Sequence, residues 1–321
     1  MKILGVSFGS PNGANDSMCK EALMGAKETG AEVEFVHLLD WDIKNCTGCV
    51  SCSVSLTSGR GNLCAIKDEL DDFLDIMLDA DGIVFCTPIF EKGATGFFHN
   101  LNDRLGPRMD RGINYFATQM AEKTGGEKPD PRILKDKVVS FMGIGGSDWC
   151  TKVQNDCAML ALSPAWKIID NVKFSWSKNI ILEQEKVNVA HKIGSDLAKA
   201  AADYDKAEYV GEPGVCPHCH SRNFYLDPES THAICCLCGI EGDVAVRDGK
   251  VVFDFPEEQL AHAHDTMPGK MLHAKDIQAM EAKNLETRKH SADYKDRVRA
   301  YRNFIQPILP PHKRRAAAVG K

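Results

Sequence analysis

The chain has 321 residues, of which 43% are hydrophobic, and its formal net charge at neutral pH is −6. This length allows two domains, and the acidic balance gives no indication that the chain binds nucleic acid or an anionic membrane. Because no apolar run is long enough to span a membrane and Met1 leads directly into a predicted strand without a signal peptide, we expect a cytoplasmic protein with no membrane partner.

The first 208 residues alternate between strand and helix patterns. Alternating or fully apolar runs predict strands at residues 2–7, 32–39, 82–86, 137–142 and 167–174. Apolar residues at helical spacing predict helices at residues 17–29, 68–79, 95–105, 151–162 and 182–204. Strands that alternate with helices form a parallel sheet covered on both faces. We therefore predict an α/β fold, a doubly wound five-stranded parallel sheet, over residues 1–208.

The loop after the first strand is rich in glycine and hydroxyl residues. It leads into a helix, so its backbone N–H groups lie at a helix N-terminus, where anions bind. Its spacing fits neither the nucleotide P-loop nor the dinucleotide-binding motif. We interpret it as a phosphate site for flavin mononucleotide (FMN), the alternative being an ordinary turn that caps a helix. The candidate phosphate ligands are Ser10, Asn12, Asn15 and Ser17.

Two further polar loops follow the third and fourth strands. Ligands of doubly wound sheets bind at the carboxyl ends of the strands, where these loops also lie. We therefore predict that both loops approach the flavin ring. The predicted flavin-contacting residues are Thr87, Pro88, Ile89, Phe90 and Gly93 in one loop and Gly143, Gly145, Gly146 and Ser147 in the other. Residues 108–136 contain several glycines and prolines and are predicted to be an irregular insertion that covers the flavin or a neighbouring subunit.

The chain contains 13 cysteines, and one group of them follows the second predicted strand. Cys46, Cys49 and Cys52 have C-x2-C-x2-C spacing, and Cys64 lies further along the chain. Four such thiolates can hold a 4Fe–4S cluster. The alternative is a cysteine-bearing loop that shapes the flavin pocket or a subunit interface without iron. CxxC clusters in a chain without a secretion signal indicate reduced thiols rather than disulfides.

A second group of cysteines defines a separate unit, which we predict over residues 212–255. Its four candidate ligands, spaced C-x2-C-x15-C-x2-C, are Cys216, Cys219, Cys235 and Cys238. This spacing is typical of structural zinc sites and predicts a small zinc ribbon, with a hairpin at residues 244–253. Iron in the same sulfur geometry, as in a rubredoxin-like redox centre, is the alternative. We interpret the neighbouring Cys236, His218 and His220 as non-ligands.

The remaining residues, 256–321, form a predicted helical tail rich in lysine and arginine, with a basic run at residues 312–315. Its apolar residues Tyr294, Val298, Tyr301 and Ile305 are at helical spacing. We expect this stripe to pack against the domain or another protomer, and we do not expect nucleic-acid binding.

The loop motifs together resemble a known family. Gly9-Ser10-Pro11, the segment 81–90 and Asp103-Arg104 resemble the NAD(P)H-dependent FMN reductases, which have a flavodoxin-like fold. The segment from residue 39 to Cys52, with Cys64 beyond it, resembles the iron-sulfur flavoprotein branch of that family. The resemblance covers residues 1–205 and implies bound FMN, NAD(P)H as cosubstrate and a 4Fe–4S cluster near the flavin.

The chain departs from the family pattern at several positions. Asn12 stands where a basic residue is often found, and Phe90 replaces the usual tyrosine. The gap between Cys52 and Cys64 is longer than in the compact iron-sulfur pattern. The ribbon and the tail are not part of the family fold.

These features predict an enzyme, an FMN-dependent oxidoreductase that passes electrons from NAD(P)H or a protein donor to a small-molecule or protein acceptor. The flavin carries the chemistry, so we nominate no catalytic side chain. A 4Fe–4S cluster would divide hydride equivalents into single electrons. The alternatives are a non-catalytic electron carrier for a partner enzyme and a flavin-sensing regulatory module that binds a partner through the ribbon and tail. We expect a homo-oligomer.

Overall fold

The computed structural model describes residues 1–308, 310 and 311. Its main sheet is built from the parallel strands β1 (Lys2–Ser7), β2 (Glu32–His37), β3 (Gly82–Phe90), β5 (Val138–Ile144) and β6 (Lys167–Phe174), and the short β4 (Gly93–Ala94) pairs antiparallel with the end of β3. The parallel strands lie in the order β2-β1-β3-β5-β6. This is the doubly wound order of flavodoxin-like sheets, so the predicted fold class is confirmed.

Helices cover both faces of this sheet. They are α1 (Ala14–Glu28), α2 (Ser51–Thr57), α3 (Leu70–Asp79), α4 (Gly96–Met109), α5 (Arg111–Thr124), α6 (Val153–Leu162) and α7 (Gln184–Ala202). One apolar core, between the sheet and α3, α4 and α6, contains Phe73, Phe98 and Leu160. The other, between the sheet and α1 and α7, contains Leu23 and Ile193. Burial of the two faces fixes the sheet between two helical layers.

The helices α1 and α7 approach each other closely because each has a glycine at the contact. A Cβ atom on Gly194 would lie 1.6 Å from the carbonyl oxygen of Ala22, and one on Gly25 would lie 2.0 Å from that of His191. No side chain fits at either position. The ring of His191 also contacts Glu21 of α1, with Nδ1 at 2.8 Å from Oε1.

The segment 108–136 differs from its prediction as an irregular insertion, because it contains the helix α5. Asp110 caps this helix by accepting a hydrogen bond from the amide of Ile113 at 2.9 Å, and Ala117 and Ala121 form its buried face. The helix ends at Gly125, which has a left-handed conformation. The glycines therefore mark the end of a helix, and the residues before them have the spacing of a helix with one buried face.

The second sheet is antiparallel and confirms the ribbon hairpin. Its strands are β7 (Phe224–Leu226), β8 (His232–Cys235), β9 (Glu241–Arg247) and β10 (Lys250–Asp254), in the order β10-β9-β8-β7. The turn between β9 and β10 consists of Asp248 and Gly249, both with positive φ, as a tight hairpin requires. The apolar core of the ribbon includes Ala158 of α6, so the ribbon packs on the main domain.

The C-terminal part of the chain is helical, as predicted, with α8 (Met267–His290) and α9 (Tyr294–Phe304). Residue contacts divide the chain into a unit at residues 1–273 and a second unit that begins at Ala274. The predicted stripe on the tail is exposed. The basic run at residues 312–315 lies outside the described residues. None of the described helices is both long and apolar enough to cross a membrane.

Candidate flavin and metal sites

The three predicted flavin loops meet at the carboxyl edge of the sheet. The amide of Phe8, before the first loop, donates to the carbonyl of Cys86 in β3 at 2.9 Å. The side chain of Asn15 lies 3.5 Å from the sulfur of Cys86, so the start of α1 contacts the end of β3. A Cβ atom on Gly145 would lie 3.3 Å from the side chain of Ile89, which joins the second loop to the third.

The first loop presents unpaired amides at the start of α1. The amide N–H groups of Ala14, Asn15 and Asp16 have no acceptor within the part of the chain that the structure describes. Three amides at a helix N-terminus form a cradle for an anion, and the macrodipole adds to the attraction. The hydroxyl of Ser17 donates to the carbonyl of Gly13 at 3.0 Å, whereas Ser10 is exposed.

Asp16 is a feature of this loop that the sequence analysis missed. Its buried carboxylate accepts a hydrogen bond from the amide of Asn12 at 2.7 Å and holds that residue at a φ of 57°. A contact between Asn12 and a phosphate would therefore come from its side chain. The ring of His37 lies 3.9 Å from the same carboxylate and 2.7 Å from the carbonyl of Gly9. An acidic residue in the first turn of α1 was the available signal.

The second loop is a tight hairpin rather than an open loop, since β3 continues through Thr87, Pro88 and Ile89 to Phe90. Phe90 pairs with Gly93 across the turn. Thr87 is fully buried, and its hydroxyl lies 3.5 Å from the amide of Thr95. The side chain of Phe90 is 65% exposed, which leaves an aromatic ring free at this edge of the sheet.

The third loop begins inside β5, at Gly143, and continues through Gly145 and Gly146 to Ser147. Ser147 lies between two exposed tryptophans. Its hydroxyl accepts a hydrogen bond from the amide of Trp149 at 3.2 Å, and its carbonyl accepts one from the amide of Trp176 at 3.4 Å. Together with Phe90, these tryptophans form what we call the aromatic rim.

The residues at this edge fit FMN. A cradle of free amides at one loop suits the phosphate, and two neighbouring loops with small residues leave room for a flat ring. The structure therefore brings the predicted flavin residues to one edge of the sheet, although their contacts with a flavin stay a prediction.

The first cysteine group surrounds α2. Cys46 and Cys49 lie in a segment without regular structure before this helix, Cys52 lies in its first turn, and Cys64 follows it. Cys46 and Cys49 are exposed, and Cys52 and Cys64 are partly buried. A hydrogen bond with the Ser51 hydroxyl, at 3.2 Å, lowers the pKa of Cys49 to about 7, which favours the thiolate. Within the described residues these four thiols do not form a single-ion site. Cluster ligands bind separate irons, so this geometry leaves the 4Fe–4S prediction open.

A buried ion pair anchors this cysteine segment. The guanidinium of Arg104 in α4 pairs with Asp68, and both side chains are only 1% exposed. Arg104 also donates to the carbonyl of Lys44 at 2.6 Å and lies 3.7 Å from the sulfur of Cys64. Burial acts to raise the pKa of the Asp68 carboxyl, but the bonds from Arg104 and from backbone amides outweigh it and lower that pKa.

The structure brings the four predicted ribbon cysteines together in a group that can hold one metal ion. The sulfur atoms of Cys216, Cys219, Cys235 and Cys238 all lie within 4.8 Å of one another. The Cys216–Cys238 distance is 3.9 Å and the Cys219–Cys235 distance is 3.4 Å. A tetrahedral ion with metal–sulfur bonds of about 2.3 Å needs sulfur–sulfur edges of about 3.8 Å, so the four thiols fit one metal ion.

The three neighbouring residues predicted to be non-ligands have other environments. Cys236 is exposed and lies outside the four-thiol group. His218 bonds to the carboxylate of Asp265 at 2.9 Å, and His220 stacks on Tyr209 with ring centroids 4.0 Å apart. Hydrogen bonds among the four ribbon thiols lower the pKa of Cys216 and Cys235 and raise the pKa of Cys219 and Cys238.

Comparison with known proteins identifies the class to which this fold and site belong. The family described as NADPH-dependent FMN reductase matches residues 1–174. The chain therefore belongs to this family and is an FMN reductase-like oxidoreductase. FMN is the cofactor of the family, and the cysteine ribbon is an addition that can bind a metal.

Individual relatives have names that are more specific than that of the family. A solved structure described as a flavone reductase is 54% identical, covers 97% of this chain and 100% of its own, and has a TM-score of 0.87. Flavone synthase cfoJ of Aspergillus candidus is 25% identical over 305 residues, 90% of this chain and 92% of the relative. An iron-sulfur flavoprotein of Archaeoglobus fulgidus is 39% identical over 116 residues, but these span only 36% of this chain and 53% of the relative.

We expect a negative charge at Ser10 to weaken flavin binding. Ser10 is exposed beside the amide cradle, so Ser10→Glu should place a carboxylate near the phosphate without disturbing the core. Repulsion of about 2 kcal/mol would weaken FMN binding roughly thirtyfold. Titration of the apoprotein with FMN, followed by flavin fluorescence, measures this. Ser10→Gln has similar size without the charge and should bind FMN nearly normally; equal affinities for the two variants would contradict the phosphate assignment.

Proposed function

We propose that this protein is an FMN-dependent reductase of flavone-type substrates that uses NADPH as electron donor. The observation that carries the proposal is the 54% identity with a flavone reductase over almost the full length of both chains. A flavone is the substrate named for that relative and the product named for the fungal flavone synthase. Both names concern the same aromatic skeleton.

The chemistry of a flavone suits the aromatic rim. A flavone is a flat, aromatic enone, and its reduction adds a hydride and a proton across the carbon–carbon double bond conjugated to the ketone. Bound FMN would accept the hydride from NADPH and supply it to that double bond.

The chain would contribute binding and orientation. Trp149 and Trp176 are 60% and 67% exposed, and the backbone amide of each bonds to Ser147. Exposed aromatic residues close together in the fold are typical of a binding surface. The Nζ atom of Lys92, in the β3–β4 turn, lies 5.1 Å from the ring centroid of Trp149. The second loop therefore contacts one of these tryptophans. The rim would stack on the flavone and exclude water from the face of the flavin.

We expect FMN-loaded protein to consume NADPH and flavone in equal amounts without oxygen and to form the corresponding flavanone. Trp176→Ala should raise the KM for flavone by about tenfold, because stacking of one aromatic pair contributes about 0.5–1.5 kcal/mol beyond the area that it buries. Anaerobic turnover, with the product identified by mass spectrometry, measures both. Stoichiometric bleaching of the flavin by NADPH should be unaffected by the substitution.

Tyr225→Ala is the matched control, since Tyr225 is an exposed aromatic residue of the ribbon away from the rim. It should leave the KM for flavone unchanged. If NADPH reduces the flavin but no flavone is consumed, the proposed substrate class is wrong.

An iron-sulfur electron carrier is the second candidate, favoured by the 39% identity with an iron-sulfur flavoprotein over a region of 116 residues. In that function Cys46, Cys49, Cys52 and Cys64 would hold a 4Fe–4S cluster. Iron and sulfide analysis of the same anaerobic preparation separates the candidates: about four of each per chain would support the carrier, and their absence the plain reductase. We further propose that the ribbon metal is structural zinc and that the acceptor is a small molecule.

A further inference from the structure

A cavity of about 290 Å³ lies between the ribbon and the edge strand β6, within the unit at residues 1–273. Its volume is close to the lower limit of about 300 Å³ for small-molecule sites. Its walls are the first turn of α6, the strand β6, the residues before the ribbon and the first cysteine knuckle. No function assigned above uses this cavity.

One wall of the cavity contains a buried hydrogen-bond acceptor without a donor. Asn171 is only 8% exposed, and its Nδ2 donates to the carbonyl of Gln154 at 2.7 Å, which fixes the orientation of the amide. Its Oδ1 has no partner among the residues that the structure describes. This oxygen is itself closed to solvent, so a ligand in the cavity would reach it only after a small movement of the Asn171 side chain. Because an unpaired buried acceptor is costly, an N–H or O–H group of a ligand would favour that movement.

The cavity also has a positively charged wall. Lys173 has no carboxylate within ion-pair distance in the described part of the chain. Arg222 pairs at 3.0 Å with Glu212, which is exposed and is the one carboxylate among the lining residues. The first turn of α6 adds the positive end of a helix dipole. The lining also includes Cys219, which brings thiolate charge once the ribbon holds a metal, so the attraction for an anion is local to Lys173 and Arg222. Guanidinium and ammonium groups together suit a phosphate.

A flat aromatic surface completes the lining. Tyr209 and His220 stack with ring centroids 4.0 Å apart and an angle of 12° between their planes, and both line the cavity. Such a pair provides a rigid, flat wall against which a planar ring can pack. The ligand therefore combines a planar ring, a hydrogen-bond donor and a phosphate.

One end of the cavity lies near the third flavin loop, and the cavity extends along β6 back to Ile168. The amide of Gly145, in the third loop, donates to the carbonyl of Phe174 at the end of β6 at 2.9 Å. Lys173 precedes Phe174, and Thr151, which also lines the cavity, follows the third loop. A ligand that extends from this end of the cavity would reach both places.

We propose that this cavity binds the adenosine 2′-phosphate half of NADPH. Adenine would pack on the Tyr209–His220 pair and donate its amino group to Asn171, and the 2′-phosphate would bind Lys173 and Arg222. The proposal rests on NADPH as the donor of the proposed function. It implies that the ribbon, which is no part of the common family fold, forms one side of the cosubstrate site. A free purine nucleotide has similar chemistry, so the test must separate the two sources.

The test measures nucleotide binding apart from turnover. Calorimetric titration of FMN-loaded full-length protein should show binding of adenosine 2′-monophosphate, weaker binding of adenosine 5′-monophosphate and no comparable binding of inorganic phosphate. The 2′-nucleotide should compete with NADPH in anaerobic flavin reduction. Lys173→Gln should raise the KM for NADPH about tenfold relative to the KM for NADH, since the lost contact is made only by the 2′-phosphate. Lys250→Gln, an exposed ribbon lysine outside the cavity, should change neither value.

Several outcomes would overturn the proposal. Equal binding of the two nucleotides without competition against NADPH would make the cavity a site for free nucleotides. An equal rise of both KM values in Lys173→Gln would mean a structural effect. Protein that reduces flavone but does not bind the 2′-nucleotide would refute the cavity assignment and leave the proposed function intact. Protein that binds the 2′-nucleotide competitively but does not reduce flavone would refute only the substrate class.

Discussion

Cys216→Ser should release the ribbon metal and destabilise the whole unit at residues 1–273. Cys216 is fully buried, and its sulfur is one of four that lie within 4.8 Å of one another. Metal binding to such sites contributes apparent free energies of about 10–16 kcal/mol, and much of this would be lost with one thiolate. The ribbon core includes Ala158 of α6, so loss of the ribbon also exposes part of the main domain. We expect a fall in Tm of roughly 10 °C or more.

Metal analysis after dialysis against a chelator, together with thermal unfolding, measures this effect. Cys236→Ser is a close control, because Cys236 is adjacent to a ligand in sequence but exposed and outside the group. It should keep the metal and the Tm of the parent protein. Retention of one metal ion per chain in Cys216→Ser would show that the ion binds elsewhere. A colourless, zinc-containing ribbon would support the structural role, whereas a thiolate-to-iron absorption band would indicate a redox centre.

Arg104→Met should lower the free energy of unfolding by about 3–5 kcal/mol, because it leaves the Asp68 carboxylate buried without its partner. Both side chains are 1% exposed, so water cannot replace the lost interaction. The variant also loses the hydrogen bond to the carbonyl of Lys44, which holds the cysteine segment against α4. Urea unfolding of the FMN-loaded protein measures the change.

Two further variants test whether the unpaired buried charge causes the loss of stability in Arg104→Met. Asp68→Asn in the Arg104→Met background removes the unpaired charge. The amides of Lys44 and Leu70 bond to separate oxygens of the Asp68 carboxylate, so asparagine keeps an acceptor for one of them, and the double variant should recover part of the loss. Arg247→Met breaks an exposed ion pair with Asp254 and should cost about 0–1 kcal/mol. A loss below about 1 kcal/mol in Arg104→Met would mean that the buried pair does not stabilise the cysteine segment.

The central strands β1, β3 and β5 could be predicted because they are buried on both faces and therefore read as apolar runs. The strand at 167–174 was predicted with its observed bounds. The end of β3 was not, because Thr87-Pro88 looks like the start of a loop, whereas the structure continues the strand into a hairpin with β4. Its turn residues Glu91 and Lys92 have positive φ without being glycine, so no turn signal marks them.

A group of residues at fixed sequence spacing could be predicted, whereas contacts between residues that only the fold brings together could not. The ribbon ligands could be predicted because two knuckles at fixed separation leave few other geometries. The role of Asp16 depends on the fold of a loop, and the pairing of Arg104 with Asp68 joins residues 36 positions apart. The cavity beside β6 combines residues from four parts of the chain, so no single segment shows it.

The close approach of α1 and α7 has a consequence for how sequence variation in this protein is interpreted. Any side chain at Gly194 would meet the carbonyl of Ala22 and force α1 to move, and the first turn of α1 carries the amide cradle. A substitution on a helix that contributes nothing to the flavin loops would thus act on flavin affinity. Natural variants or screening hits at Gly25 and Gly194 would be recorded as cofactor-binding defects, although their cause is the spacing of two helices.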